Sequence, residues 1–170
     1  MRLYTVQIKT PVGGVERLMA EQNGKLVDLN AAGGVYYAAQ GDTNPQQLAV
    51  ANLPNDMITF FSNGKRSLDA GYAVLAYMEN AHPQAGLVGQ QLVYDKQGVT
   101  ILAPVTRPNI IFDGMVYEGH VKHHYGEIPA GYYKRPVWNT QSGSTVVGTG
   151  APLFKPKYTA QYDFEFEMGF

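Results

Sequence analysis

Residues 1–30, MRLYTVQIKTPVGGVERLMAEQNGKLVDLN, decide the fold class of this 170-residue chain. Apolar and polar residues alternate in RLYTVQI, GVERLMAEQ and GKLVDLN, which is the period of strands with one buried face. The predicted turns between these strands lie at Gly13-Gly14 and Asn23-Gly24. Asn-Gly between alternating runs is the strongest short hairpin signal. The sequence therefore predicts a small antiparallel sheet at the N-terminus.

Three helical patterns follow this sheet. NPQQLAVANL (44–53) offers an asparagine N-cap with proline at the first helical position. PNDMITFFSNG (54–64) begins with a Pro-Asn-Asp signal and ends on Asn-Gly. SLDAGYAVLAYMENA (67–81) carries apolar residues close to a 3.6-residue period. We expect three short helices packed on the sheet, and hence an α+β fold.

The charge balance excludes several classes of partner. Thirteen basic and fourteen acidic residues leave a net charge of −1, which gives no electrostatic reason to expect nucleic acid or an anionic membrane as partner. No cysteine is present, so disulfides and thiol chemistry are excluded. No apolar run approaches the roughly 20 residues of a membrane span, and the charged, alternating N-terminus is unlike a signal peptide. A cytoplasmic protein is expected.

The chain changes character between residues 85 and 100. AHPQAGLVG (81–89) has the composition of a linker, and QLVYDKQGVTILAPV (91–105) predicts a hairpin that turns at 96–98. Beyond it the sequence is rich in aromatic residues, prolines and histidines. We expect the chemistry to lie in this second part.

The stretch YDFEFEMGF (162–170) alternates aromatic or apolar residues with acids. On a strand, residues i and i+2 lie about 6.6–6.8 Å apart on one face, so the carboxylates of Glu165 and Glu167 could reach one point. Carboxylate oxygens suit Mg²⁺, Ca²⁺ or Mn²⁺ better than zinc. The alternative is an ordinary solvated face of a strand.

RPNIIFDGMVYEGHVKHHYGE (107–127) contains the second set of candidates. NIIF has the composition of a buried strand, Asp113 ends it, and His120 follows seven residues later. His120 and His124 could share a helical face and bind zinc, but a histidine general base is the better match for this pattern. For His123 and His124 we favour a surface turn.

EIPAGYYKRPVW (127–138) offers hydroxyl groups and cations for an anionic, oxygen-rich substrate, carried by Tyr132, Tyr133, Lys134 and Arg135. Aromatic side chains packed under a proline turn are an equally good interpretation. The neighbouring NTQSGS (139–144) lacks phosphate-loop spacing, and we assign it no nucleotide role.

Taken in order, these pieces resemble the fumarylacetoacetate hydrolase family. The matching elements are APVTRPNIIF, Asp113 with His120 beyond it, IPAGYYKR, SGSTVVGTGAPLFKP and DFEFEMGF. The N-terminal MRLYTVQI and GVERLMAEQNGKLVDLNAA resemble the small leading domain of bacterial members. The resemblance implies a small α+β domain over residues 1–90 and, over residues 91–170, the first part of a mixed β-sheet roll that is incomplete here.

The resemblance also implies a site and a reaction class. It implies a divalent cation, Mg²⁺ or Ca²⁺ with Mn²⁺ as a further option, held by Asp113, Glu165 and Glu167. It implies His120 as the water-activating base and Tyr132 as a substrate contact, to which we add Lys134. The implied activity is metal-dependent cleavage of a C–C bond in a β-diketo or other keto acid, as in fumarylacetoacetate or an acylpyruvate. Decarboxylation or isomerisation of a keto acid and a non-catalytic partner subunit with the same fold are the alternatives.

Two positions depart from the family pattern. His123 stands where many bacterial members have a glutamate that orients the base, and Met115 stands where the hydrolase itself has a substrate tyrosine. Because the acidic strand lies near the middle of family chains, we expect this chain to need further sequence, a second polypeptide or self-association to complete its sheet. Alone, we expect it to be inactive and poorly stable.

Overall fold

The computed structural model describes residues 1–169, so Phe170, the last residue of the predicted terminal strand, lies outside the described residues. The elements are strands β1 (Leu3–Thr10), β2 (Gly13–Gln22), β3 (Lys25–Asp28), helices α1 (Leu29–Ala39), α2 (Pro45–Asn52), α3 (Met57–Ser62), α4 (Lys65–Ala81), strands β4 (Val93–Tyr94), β5 (Thr100–Ile101), β6 (Ile110–Gly114), helix α5 (Glu118–Tyr125) and strand β7 (Trp138–Ser142). Among residues 1–169 no helix is both long and apolar enough to cross a membrane.

The N-terminal sheet confirms the predicted meander. β1 pairs antiparallel with β2, and β2 pairs antiparallel with β3. The complete five-stranded sheet has the order β4-β3-β2-β1-β5. Gln22 pairs with Lys25 across a two-residue turn in which Asn23 and Gly24 have φ of 51° and 77°. Positive φ at both central residues fits the right-handed twist of the flanking strands. The first turn is displaced from the predicted Gly13-Gly14, because Thr10 already pairs with Gly13.

Different parts of the chain pack on the two faces of this sheet. Leu18, Ala20 and Val27 pack with the helices in the main hydrophobic core, around the fully buried Phe60 of α3. The opposite face buries a smaller apolar cluster formed by Val6, Met19 and Leu26, on which Tyr94 and Val99 pack. Side chains on both faces are therefore removed from water.

Helix α1 was not predicted from the sequence. Gly33 and Gly34 lower the helix propensity of its middle, but a Cβ at Gly33 would lie 2.5 Å from Leu53 Cδ1 of the neighbouring segment. The close packing of α1 on residues 49–53 explains the glycine. The N-cap was a usable signal, since the Asp28 carboxylate accepts from the Ala31 N–H.

The predicted hairpin over residues 91–105 is wrong. β4 pairs with β3 at one edge of the sheet, whereas β5 pairs with β1 at the other edge. Strand β4 and the connection that follows it carry Tyr94 and Val99 onto the face opposite the helices. The chain crosses from one edge of the sheet to the other because this path buries the apolar face. The local alternation of residues contains no signal for such a long-range arrangement.

The division into domains at residues 90 and 91 stays a prediction. Strands β4 and β5 both follow that point and pair with the N-terminal sheet. The α+β class agrees with the observed mixture of helices and antiparallel sheets. The mixed roll expected for the second part stays a prediction.

Residues 102–108 connect this sheet to the second part of the chain. The Thr5 hydroxyl donates to the Pro104 carbonyl at 2.6 Å. Glu16 accepts from the Thr106 hydroxyl at 3.2 Å and from Arg107 at 3.3 Å. The N-terminal sheet thereby holds the segment that leads into β6.

Candidate functional site

Strands β6 and β7 form a two-stranded antiparallel ribbon that positions Asp113. Directly opposed residues share a face, and Asp113 opposes Asn139. Residue Gln141, two positions along β7, donates from Nε2 to Asp113 Oδ2 at 3.3 Å. Asp113 is half-buried, so its carboxylate retains access for a further ligand.

The other face of the ribbon borders a cavity of about 570 Å³. Its walls are mostly apolar and include Phe112, Met115, Val116, Pro136, Val137 and Trp138. The Phe112 and Trp138 rings meet edge to face, with centroids 5.9 Å apart and planes at 88°. An apolar cavity with few polar groups is the usual form of a small-molecule site.

Two polar residues contribute to this cavity, Tyr132 and Arg135. Tyr132 was predicted as a substrate contact and is half-buried in a short 3₁₀ turn, Tyr132–Lys134. Lys134, the predicted cation, does not line the cavity, whereas its neighbour Arg135 does. Arg135 is therefore the cation that lines this cavity, and the predicted role of Lys134 stays a prediction.

His120 lies exposed on helix α5, which is anchored by the buried Val121. The Tyr133 hydroxyl donates to Glu118 on the same helix and joins α5 to the 3₁₀ turn. This hydrogen bond to the Glu118 carboxylate raises the pKa of Tyr133. Helix α5 is thus tied to the segment that carries Tyr132.

The two neighbouring histidines are also exposed on α5. His124 packs edge-on against Tyr125, with ring centroids 4.6 Å apart. The sequence interpretation placed His123 and His124 in a surface turn, and the structure instead places them in the last turns of this short helix.

The predicted terminal strand does not form in the described part of the chain. Residues 161–169 have no regular secondary structure, and all of them are exposed, including Glu165 and Glu167. A strand needs a neighbour to satisfy its N–H and C=O groups, and within residues 1–169 no strand pairs with this segment. The alternation of apolar and acidic residues was therefore not enough to form a strand without a neighbouring strand to pair with.

The predicted metal ligands have suitable chemistry but are not brought together here. Asp113, Glu165 and Glu167 offer the hard oxygen donors that Mg²⁺ and Ca²⁺ prefer. In the described residues, no group of three or more histidine, cysteine, aspartate or glutamate side chains is close enough to hold an ion. The ligand set therefore stays a prediction, and we derive no chemical step through a metal.

Sequence reasoning missed the aromatic part of the cavity. Trp138 lies on β7, whose sequence WNTQS has no apolar alternation, so nothing local indicated a strand. Phe112 was included in the NIIF strand, but its pairing with β7 residues is a long-range contact. The one available signal was the cluster of aromatic and proline residues around 132–138.

No family model matches this sequence. Among curated proteins, the chain is 27% identical over 169 residues to oxaloacetate tautomerase FAHD2A, mitochondrial, of Bos taurus, covering 99% of this chain and 43% of that protein. It is 29% identical over 117 residues to the human oxaloacetate tautomerase FAHD2A, mitochondrial, covering 68% of this chain and 32% of that protein. The Xenopus laevis oxaloacetate tautomerase fahd2, mitochondrial, is 25% identical over 171 residues, covering 100% of this chain and 43% of that protein.

These similarities confirm the resemblance inferred from the order of motifs. The relatives are fumarylacetoacetate hydrolase domain-containing proteins, and the similarity extends over nearly all of this chain. The chain spans less than half the length of each of them. The names of these relatives describe them as mitochondrial, and the cytoplasmic location expected for this chain stays a prediction.

Proposed function

We propose that this chain is part of an enzyme that processes a keto acid through its enol or enolate form. The observation that carries the proposal is the 27% identity to an oxaloacetate tautomerase over 99% of the chain. The cavity beside Tyr132 and Arg135 supports only the binding of a carboxylic acid, because it offers room for a carbon skeleton and a cation for a carboxylate but lies on the ribbon face opposite Asp113.

The residues of this chain have separate roles in the proposed reaction. His120 is exposed on α5, and because an imidazole can accept and donate a proton, it is the proposed general base. The Tyr132 hydroxyl and the Arg135 guanidinium orient the substrate. A divalent cation held by Asp113, Glu165 and Glu167 would supply positive charge to stabilise an enolate.

Hydrolysis of a C–C bond in a β-diketo acid is the second candidate. The apolar cavity favours it, since such a substrate carries an acyl substituent that oxaloacetate lacks. In that reaction the proposed role of His120 is to take a proton from the attacking water. Tautomerisation needs proton transfer at carbon without this water.

The proposed activity is tested with the full chain in the assembly in which it is purified. The enol-to-keto conversion of oxaloacetate is followed by the loss of enol absorbance, with Mg²⁺, with Ca²⁺ and after chelation. We expect metal-dependent acceleration that Glu165→Gln and Glu167→Gln each abolish. Glu79→Gln, at an exposed position on α4, is the matched control and should retain the activity.

The second candidate is tested on the same preparations with an acylpyruvate, by measuring release of pyruvate. Activity on neither substrate, in an assembly that contains every associated chain, would leave the non-catalytic partner subunit as the better interpretation. Native mass spectrometry of the same material identifies any second polypeptide and its ratio to this chain. That measurement tests the proposed completion of the sheet by a partner or by self-association.

A further inference from the structure

We propose that the cavity between Phe112 and Trp138 binds a monocarboxylic acid with a bulky apolar body, whose carboxylate is held by Arg135. Only the identification of this acid as the substrate rests on the proposed function. The binding itself follows from the walls and the charge of the cavity. Branched-alkyl and aromatic keto acids are the substrate class that it implies.

The walls of the cavity determine the apolar body of the ligand. Phe112 and Trp138 are 61% and 51% exposed, a large aromatic surface left open to solvent. Both line the cavity together with Val137. A ligand that covers these rings removes apolar surface from water on both sides, which is favourable in proportion to the area covered.

Arg135 determines the charge of the ligand. It is the one charged residue in the lining of this cavity. Its side chain makes no hydrogen bond or ion pair with any other residue that the structure describes, so its donors are available. A guanidinium presents paired N–H donors that match a carboxylate. Tyr132 also lines the cavity and carries a hydroxyl that can donate a hydrogen bond.

The same lining disfavours a second carboxylate inside the cavity, so oxaloacetate should be turned over less efficiently than a keto acid with one carboxylate. With one carboxylate on Arg135, a second carboxylate that entered the cavity would lie against Phe112, Val137 or Trp138, where the lining offers no other cation. Removing a carboxylate from water without a partner is costly. The cavity therefore selects acids with one carboxylate and an apolar remainder.

Ligand binding in the cavity can be measured by the fluorescence of Trp138, because it is the only tryptophan in the sequence. Its fluorescence is titrated in the full chain with 4-methylpentanoate, with the neutral isostere 4-methylpentan-1-ol and with succinate as a small dicarboxylate. We expect a saturable change with 4-methylpentanoate and at least roughly tenfold weaker binding of the other two, since each lacks one of the two interactions.

Matched variants separate the role of Arg135 from that of general charge. Arg135→Gln should weaken binding of 4-methylpentanoate roughly tenfold. Lys9→Gln removes an exposed cation on β1 that lies outside the cavity lining, and should leave the affinity unchanged. Both residues are exposed, so both variants should retain the wild-type circular dichroism. Val137→Asp places a negative charge in the wall and should abolish binding.

The proposal is overturned if no probe gives a saturable change or if succinate binds as tightly as 4-methylpentanoate. It is also overturned if Arg135→Gln and Lys9→Gln have the same effect. A full chain that binds 4-methylpentanoate through Arg135 but turns over no keto acid overturns the proposed function and leaves this inference standing. Turnover of oxaloacetate that Arg135→Gln leaves unchanged, without binding of 4-methylpentanoate, overturns this inference alone.

Discussion

Arg17 and Asp28 form a two-point ion pair where strand β3 passes into helix α1. Arg17 Nε lies 2.7 Å from Asp28 Oδ2, and Arg17 Nη2 lies 3.0 Å from Oδ1. The same Oδ1 accepts from the Ala31 N–H at 3.0 Å. One buried carboxylate therefore joins β2 to β3 and also caps the helix that packs on the sheet.

Asp28→Ala should lower the free energy of unfolding by about 3 kcal/mol or more, because it removes the helix cap and leaves the Arg17 guanidinium without its partner. The side chains of Asp28 and Arg17 are only 3% and 18% exposed. Urea denaturation measures the loss. Asp69→Ala, which breaks the exposed pair with Lys65, is the control and should cost no more than about 0.5 kcal/mol. Equal effects of the two variants would show that the Arg17–Asp28 pair adds nothing beyond a surface contact.

Glu21 should make the stability of the fold depend on pH in the acidic range. Hydrogen bonds from Lys96 Nζ at 2.7 Å and from the Tyr4 hydroxyl at 2.9 Å hold the pKa of Glu21 below its ordinary value of 4.5. A carboxyl group with a lower pKa in the folded state stabilises the fold above its unfolded pKa. This contribution is lost as the pH falls from about 4.5 through the folded pKa.

The effect is measured by urea denaturation of the wild type and of Glu21→Gln at several pH values between about 7 and 3. This range spans the titration of carboxyl groups. The variant should be less stable at pH 7 and lose less stability on acidification. Glu79→Gln, exposed on α4, should follow the wild-type curve. If Glu21→Gln also follows that curve, the hydrogen bonds to Glu21 do not contribute to folding.

Gly143 should tolerate no side chain, because a Cβ there would lie 1.6 Å from the Pro108 carbonyl oxygen. Gly143→Ala must displace the loop after β7 from the segment that leads into β6, at a cost of about 1–3 kcal/mol. Thermal denaturation measures the cost, and Trp138 fluorescence reports any change in the ribbon. Gly131→Ala is the matched control, since a Cβ at Gly131 meets no atom within 4 Å. Identical denaturation of the two variants would contradict the close approach at Gly143.

His120→Ala should lower turnover of the proposed keto-acid substrate by a factor of roughly 10² to 10⁴, as expected for loss of a general base. Binding of a divalent cation, measured by calorimetry, should be unchanged. His124→Ala, one turn further along α5, is the control and should retain turnover. Loss of metal binding in His120→Ala would make His120 a ligand and not a base.

Much of the N-terminal part was predictable because its signals are local. The Asn23-Gly24 turn fixes the register of β2 and β3, and the alternation in β1 and β2 fixes their buried faces. Helix α1 was missed because its two glycines oppose local helix propensity, while the packing of Gly33 on Leu53 favours the helix.

By itself the sequence determined the meander of residues 1–28, the three helices of residues 45–81, the strand that ends near Asp113, and the order of motifs that marks the fumarylacetoacetate hydrolase resemblance. Turn chemistry, caps and hydrophobic period act over a few residues, so they can be read along the chain. Only the tertiary structure decided that β4 and β5 pair at opposite edges of the sheet, and that Arg135, not Lys134, lines the cavity with Phe112 and Trp138. Those relationships depend on contacts between distant segments, whose energies come from burial and not from local pattern.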